Sequence, residues 1–446
     1  MLGIKNQTSI QKYDTFEIAD RLGKSGVFPV GLVNNCDLSD GNARVGVGVS
    51  DYKLESGEVV GYDWDLPAPK AFFYYGDKLW LLSEDNKLYS YDENSLTYEL
   101  KYTFYREMKV VQVQDELGEY RVYFCGDRGV FILDENWNIT QILEDSCIPT
   151  ACAFQGRIFT ATATSLLYSA PFSVGDFTES IDGGGEVVLP SDTGNIVDIA
   201  ATSNAIFVFC QYGIWKLTAA GSARDFCLER IGFTGSGVLK GSACSVAFSG
   251  GEKVFFFDEY GPWKLDRSGV TKICRNLTFS FRKTEQACEH AYVNGKVVYN
   301  YRALDNSVKS VVIDAETDQA YHSFTAEGLS NINGQAIGVV SGHVCVLKTE
   351  SDLPTNALSE LVAKPCDFNI SGVKTLRRLK LFGEGTITLS VSNGQKTKTF
   401  VLQTENGMAS VDVRLKGEFF RLRFVLGNHA ILRGLNAELC KFKATR

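Results

Sequence analysis

A chain of 446 residues can bury a large core without disulfides or metals, and by domain-size scaling it should divide into two to four folding units. With 44% hydrophobic and 22% charged residues it is not wholesale disordered, and no apolar run approaches the ~18 residues that a spanning helix needs. The net charge of −8 is uneven: residues 366–446 carry 14 Lys and Arg against 6 Asp and Glu, the rest 31 against 47, so an acidic body precedes a basic end.

The leading segment, residues 1–59, is polar and turn-rich, with GLVNNCDLSDGNARVGVG around Asn34, Asn35 and Asp37. It has no apolar stretch of the signal-peptide kind, so the expectation is an extended segment on a protein folded in a cytosol. The next stretch is repetitive. Apolar runs such as KLWLLSE, YRVYFCG, AIFVFCQ, KVFFFDE and HVCVLKT follow a turn residue at Gly76, Gly118, Gly156, Asn204, Gly251, Gly295 and Gly342. The intervals are 42, 38, 48, 47, 44 and 47 residues, the period of a structural repeat. Most runs lead through a tight turn (Asn86-Lys87, Arg128-Gly129, Tyr212-Gly213 or Tyr260-Gly261) into a second strand. That strand carries a large residue at one recurring place: Tyr89, Phe131, Trp215 or Trp263.

A lone hairpin is marginally stable, so such units must stack, and radial stacking protects their edges. The spacing predicts an all-β fold with a β-propeller of about seven blades over residues 60–355. Its third blade is broken by a Gly-rich loop at Gly183, Gly184 and Gly185. IGFTGSGVLKG, ending at Gly241, reads as a loop between blades and does not match a dinucleotide fingerprint. After a linker around Pro354 and Pro365, alternation at Thr386–Val391 and Phe419–Val425 with a turn at Asn393-Gly394 predicts a small, basic β-sandwich over residues 356–446. In FFRLRFV the period of two sets Arg421 and Arg423 on one face and Phe420, Leu422 and Phe424 on the other.

Chemistry is not visible at this level. The twelve cysteines occur singly, with no CxxC, and are expected to be reduced; Cys147 and Cys152 are the one closely spaced pair. The four histidines lack metal spacing, no GxSxG, HExxH or P-loop occurs, and Asp258-Glu259 sits at a hairpin turn. The expectation is a protein without enzymatic activity, cofactor or metal.

Four segments resemble a known family: Gly31–Gly48, SLLYSAPFSVGDFTE at Ser165–Glu179, Asn195–Thr218, and Arg230–Asp266 with its Ile-Gly pair and aromatic Gly-turn hairpin. They are similar to the tail nozzle proteins (tail tubular protein B) of short-tailed phages and the related packaged-DNA stabilisation proteins. The resemblance implies a structural virion protein, made in the host cytoplasm. Such proteins form a ring, commonly of six copies, below the portal or adaptor protein, with tail fibre or tip proteins as further partners. The ring surrounds a conduit that retains packaged double-stranded DNA, without sequence-specific binding, and permits its ejection. On that reading the basic face of the C-terminal domain docks on a neighbouring subunit or adaptor, through Arg377, Arg378 and Lys380 on one strand and Arg414, Arg421 and Arg423 on two others. A merely solvated face and direct DNA binding by these residues stay open. So does a propeller module that binds a glycan or protein receptor.

Overall fold

Hairpin turns set the architecture. The computed structural model describes residues 5–18, 26–38, 40–54, 56–63, 65–115, 117–126, 128–173, 175–180, 183–218, 225–232, 237–274, 288–349, 359–404, 407–427 and 429–443. Among them the sole helical element is a 3-10 turn, Ser191–Thr193. The linker around Pro354 and part of the loop before Gly241 lie outside the described residues.

Six antiparallel sheets of four strands stand alone. Blades 1 to 5 occupy residues 69–103, 108–143, 148–188, 196–232 and 244–272. Blade 6 is made by Glu327–Ile332, Gln335–Val340 and His343–Lys348, and takes its fourth strand, Gly48–Asp51, from the leading segment. Neighbouring backbone bonds reinforce that closure, Tyr52 N to Val344 O at 2.8 Å and Tyr62 N to Gly342 O at 2.9 Å.

The blades pack because their second strands alternate. In Lys78–Ser83, Trp80 and Leu82 join Phe124 and Phe131 of blade 2, while Leu79 and Leu81 join Ile337 and Val344 of blade 6. In Ile206–Cys210, Ile206 and Val208 face Phe159 of blade 3, and Phe207 and Phe209 face Phe256 of blade 5. A period of two thus gives blades 1 and 4 two apolar faces each, both buried on a neighbour. This is a β-propeller.

The structure corrects three expectations. First, six blades stand alone, not about seven. The strands Glu289–Val293, Lys296–Arg302, Val308–Asp314 and Ala320–Ser323 form a four-strand run, but its last strand pairs with Gly26–Asn34 and continues into a 14-stranded sheet. Second, the run at His343 is the third strand of its blade. The second is Gln335–Val340, because Asn333-Gly334 and Ser341-Gly342 are consecutive turns with positive φ at both residues, the same turn chemistry twice.

The third correction concerns boundaries. The compact units are Asp51–Ser310 with Thr325–Val346, and Met1–Ser50 with Val311–Phe324 and Leu347–Arg446, in place of 1–59, 60–355 and 356–446. In the second unit Lys5–Ile18 runs antiparallel to Ile431–Lys443 from Lys5 opposite Lys443 to Tyr13 opposite Leu435, so the C-terminal strands do not form a separate sandwich. The long strand Lys374–Ser392 changes partners midway: its first half lies between Met408–Gly417 and Ile431–Lys443, its second between Thr397–Thr404 and Arg421–Leu426. Gly383 lies at the changeover, where a Cβ would come within 1.9 Å of Ile431 O. Phe16, Phe28 and Phe424 fill the interior in edge-to-face contacts of 5.8–6.3 Å.

Candidate functional site: a basic sheet face and a lysine-lined channel

The six basic residues singled out in the sequence are all exposed, and fall into two groups. In Arg421–Leu426 the alternation is as expected: Arg421 and Arg423 exposed, Leu422 and Phe424 buried. Arg423 Nε donates to Glu360 Oε1 at 2.6 Å. The other group lies on the first half of Lys374–Ser392. A β-bulge at Arg377 breaks the period of two, so Arg377 and Arg378 both point outward. Arg377 lies 3.5 Å from Glu438, and Arg378 Nε donates to Asp412 at 2.7 Å. Asp412 also accepts from Arg414 at 3.2 Å, a residue at φ 48° with 78% of its side chain exposed. Lys380 and Arg421 make no ion pair with any described residue.

Asn35 fixes the unit that carries this face. Fully buried, it accepts from Ser323 Oγ at 3.0 Å and donates Nδ2 to Ser359 Oγ at 3.4 Å, while its backbone N–H donates to His322 O at 2.6 Å. One side chain ties together all three stretches of the unit.

The propeller contains a cavity of about 590 Å³, lined chiefly by Lys70–Phe73 of blade 1, Glu107–Gln112 at blade 2, Leu329–Asn331 of blade 6 and Cys288–His290, with Glu84 and Arg302 also on its wall. Glu107 is shared by two lysines, at 2.6 Å from Lys70 Nζ and in a short contact with Lys240 Nζ. Burial raises the Glu107 carboxyl, but the two ammonium groups outweigh it and hold the acid below its ordinary range. Burial pushes the Lys70 ammonium down, opposed by Glu107.

Asp198, which does not line the cavity, is buried and accepts from Thr150 Oγ1 at 2.8 Å and Ala243 N at 2.9 Å; burial raises its pKa. Glu289 Oε2 accepts from Asn300 Nδ2 and Gly328 N, both at 3.1 Å, and burial pushes that carboxyl up to about 7. His290 shares a hydrogen bond of 3.1 Å between Nδ1 and Gly241 O, and burial, then the charge of Lys109, push it down to about 3. Sequence reasoning missed this cluster. Its signal was a polar residue interrupting three apolar strands: Lys109 in MKVVQVQ, Asp198 in IVDIAA and His290 in EHAYV.

A second cavity, about 650 Å³, is lined by Tyr75, Tyr120, Trp137, Glu119, Glu135 and Asn333. Asp258-Glu259 is a turn device: Asp258 is buried and accepts from Tyr260 N at 2.8 Å. None of the twelve cysteines is disulfide-bonded, Cys147 and Cys152 included. No described helix is long and apolar enough to cross a membrane.

No protein-family model and no curated protein matches the chain. Among solved structures it is similar to virginiamycin B lyase from Staphylococcus aureus, at 12% identity and a TM-score of 0.44, over 68% of this chain and 99% of that one. It is also similar to the WD40 β-propeller domain of Doa1, at 13% identity and a TM-score of 0.41, over 69% and 98% of the two chains.

Proposed function

We propose that this chain is a structural subunit of the tail nozzle of a short-tailed phage. It assembles as a ring, of six copies by the family resemblance, around a conduit for packaged DNA, and docks on a neighbour or adaptor through the basic sheet face. The observation that carries the reading is that face: exposed arginines on a sheet whose unit is pinned from three remote stretches by Asn35. An arginine fork already committed to one carboxylate keeps further N–H donors for an acidic partner, and the acidic body of a second copy supplies such carboxylates.

Lys380 and Arg421 are the residues to reverse, because neither holds an internal ion pair with a described residue. Lys380→Glu with Arg421→Glu should leave thermal unfolding unchanged and abolish incorporation into particles. Normal incorporation by a folded double variant refutes docking through this face; normal assembly with loss of salt-sensitive DNA binding gives the face to nucleic acid instead.

A second reading, a propeller module that binds a glycan receptor, is favoured by the aromatic cavity. Tyr120 is 59% exposed beside Trp137, with Glu119 and Glu135 at the same wall, an arrangement of stacking faces and hydroxyl acceptors. Tyr120→Ala should then remove binding to a glycan array without affecting particle assembly.

A further inference from the structure

Two hairpin turns carry the same dipeptide in nearly the same sequence, Asn333-Gly334 within INGQ and Asn393-Gly394 within SNGQ, and the fold treats them oppositely. At the second turn every group needed for a reaction between side chain and backbone is held. Asn393 Oδ1 accepts from Gln395 N at 3.0 Å and Lys396 N at 2.7 Å, and its Nδ2 donates to Lys416 O at 2.8 Å. The next N–H along the chain, that of Gly394, donates to Ser392 Oγ at 3.2 Å. The first turn has none of these ties. Asn333 and Gly334 are both exposed, and neither the Asn333 amide nor the Gly334 N–H has a hydrogen-bond partner among the described residues. A Cβ built on Gly334 would meet nothing within 4 Å, so the space beside it is open.

We propose that Asn333 is a site of spontaneous covalent modification, converting to isoaspartate and aspartate with water as the co-reactant. The Gly334 nitrogen gives up its proton and attacks Asn333 Cγ. The N–Cγ bond forms, the Cγ–Nδ2 bond breaks, and ammonia leaves with the proton, so that side chain and backbone close into a cyclic imide. Water then opens the ring, at the Cα carbonyl to give isoaspartate or at Cγ to give aspartate, and nothing is oxidised or reduced. Glycine after the asparagine favours the attack because it sets no side chain beside the nucleophile. Either product puts a carboxylate on the wall of the aromatic cavity that Asn333 shares with Glu119 and Glu135. Isoaspartate also lengthens the backbone of a two-residue turn whose length fixes the pairing of Ile332 with Gln335 in blade 6. This inference is independent of the nozzle and glycan readings, since it is a reaction of one chain with water.

The test is peptide mapping by mass spectrometry of the full chain after incubation at mildly alkaline pH, once folded in buffer and once unfolded in urea. In the folded chain, conversion at Asn333 should run at least about tenfold faster than at Asn393, where four hydrogen bonds must break before the ring can close. In urea the two sites should convert at similar rates, because both asparagines are followed by Gly-Gln and no fold distinguishes them. The unfolded sample thereby separates the effect of structure from that of sequence. Equal rates at the two sites in the folded chain, conversion of Asn333 confined to the unfolded chain, or a preference for Asn333 that persists undiminished in urea overturns the proposal.

Discussion

Adjacent residues Glu289 and His290 have opposite responses to burial, and their pH dependences oppose one another. The Glu289 carboxyl is raised from 4.5 to about 7, so its contribution to stability is fully present below pH 4.5 and is lost as pH rises toward 7. The His290 imidazole is lowered from 6.5 to about 3, so its contribution is present above pH 6.5 and is lost as pH falls toward 3. Between pH 4.5 and 6.5 the two slopes cancel. Glu289→Gln should therefore unmask a stability that rises with pH across that window, and His290→Asn one that falls, each by up to ~1.4 kcal/mol per pH unit. Urea midpoints at the two ends of the window measure both, and slopes of the same sign would contradict the pairing. Lys374 makes a separate case. Fully buried, its Nζ donates to the carbonyls of Ile370, Gly372 and Glu418 at 2.6, 3.1 and 2.5 Å. Lys374→Met strands three acceptors and should cost about 2–4 kcal/mol in denaturant melts; a loss near zero would mean water replaces the ammonium.

The repeated strand position contains a built-in contrast. Trp215 and Trp263 each follow a tight turn and lie opposite Val208 and Phe256 of the preceding strand, so the recurrence was legible from the spacing alone. Their surroundings were not. Trp215 is 9% exposed and its Nε1 donates to Thr193 Oγ1 at 2.9 Å, whereas the buried Nε1 of Trp263 has no hydrogen-bond partner among the described residues. Trp215→Phe should thus lose about 1 kcal/mol more than Trp263→Phe, and Trp215→Ala about 3–5 kcal/mol in all. Equal losses for the two Phe variants would show that both indoles are satisfied in solution. What hid the difference is that Thr193 reaches Trp215 from the short 3-10 turn before the blade, a contact no periodicity encodes. The Gly-rich loop of blade 3 was similarly half legible: glycines marked it, but not Arg157, whose guanidinium donates to Ser169 O and Gly183 O at 2.8 and 2.6 Å and pins it.

At the scale of the whole molecule, sequence patterns recovered what is local and missed what is assembled from afar. The blades are hairpin repeats and could be read from turns; the second unit brings together strands from residues 1–50, 311–324 and 347–446, and alternation within a strand says nothing about its partner. Asn35 is where that assembly can be probed. Its side chain bonds Ser323 and Ser359, and it sits at φ 46°, a conformation asparagine tolerates better than alanine. Asn35→Ala should therefore cost about 2–3 kcal/mol, from two lost hydrogen bonds and the backbone strain together. The loss belongs to one unit, so amide hydrogen exchange should quicken together in Gly26–Asn34, Ala320–Ser323 and Ser359–Ala363, while Lys78–Ser83 and Ile206–Cys210 keep their protection. Acceleration confined to the neighbours of Asn35 would mean that the three stretches hold together without it. Equal acceleration in the blades would mean that the two units unfold as one.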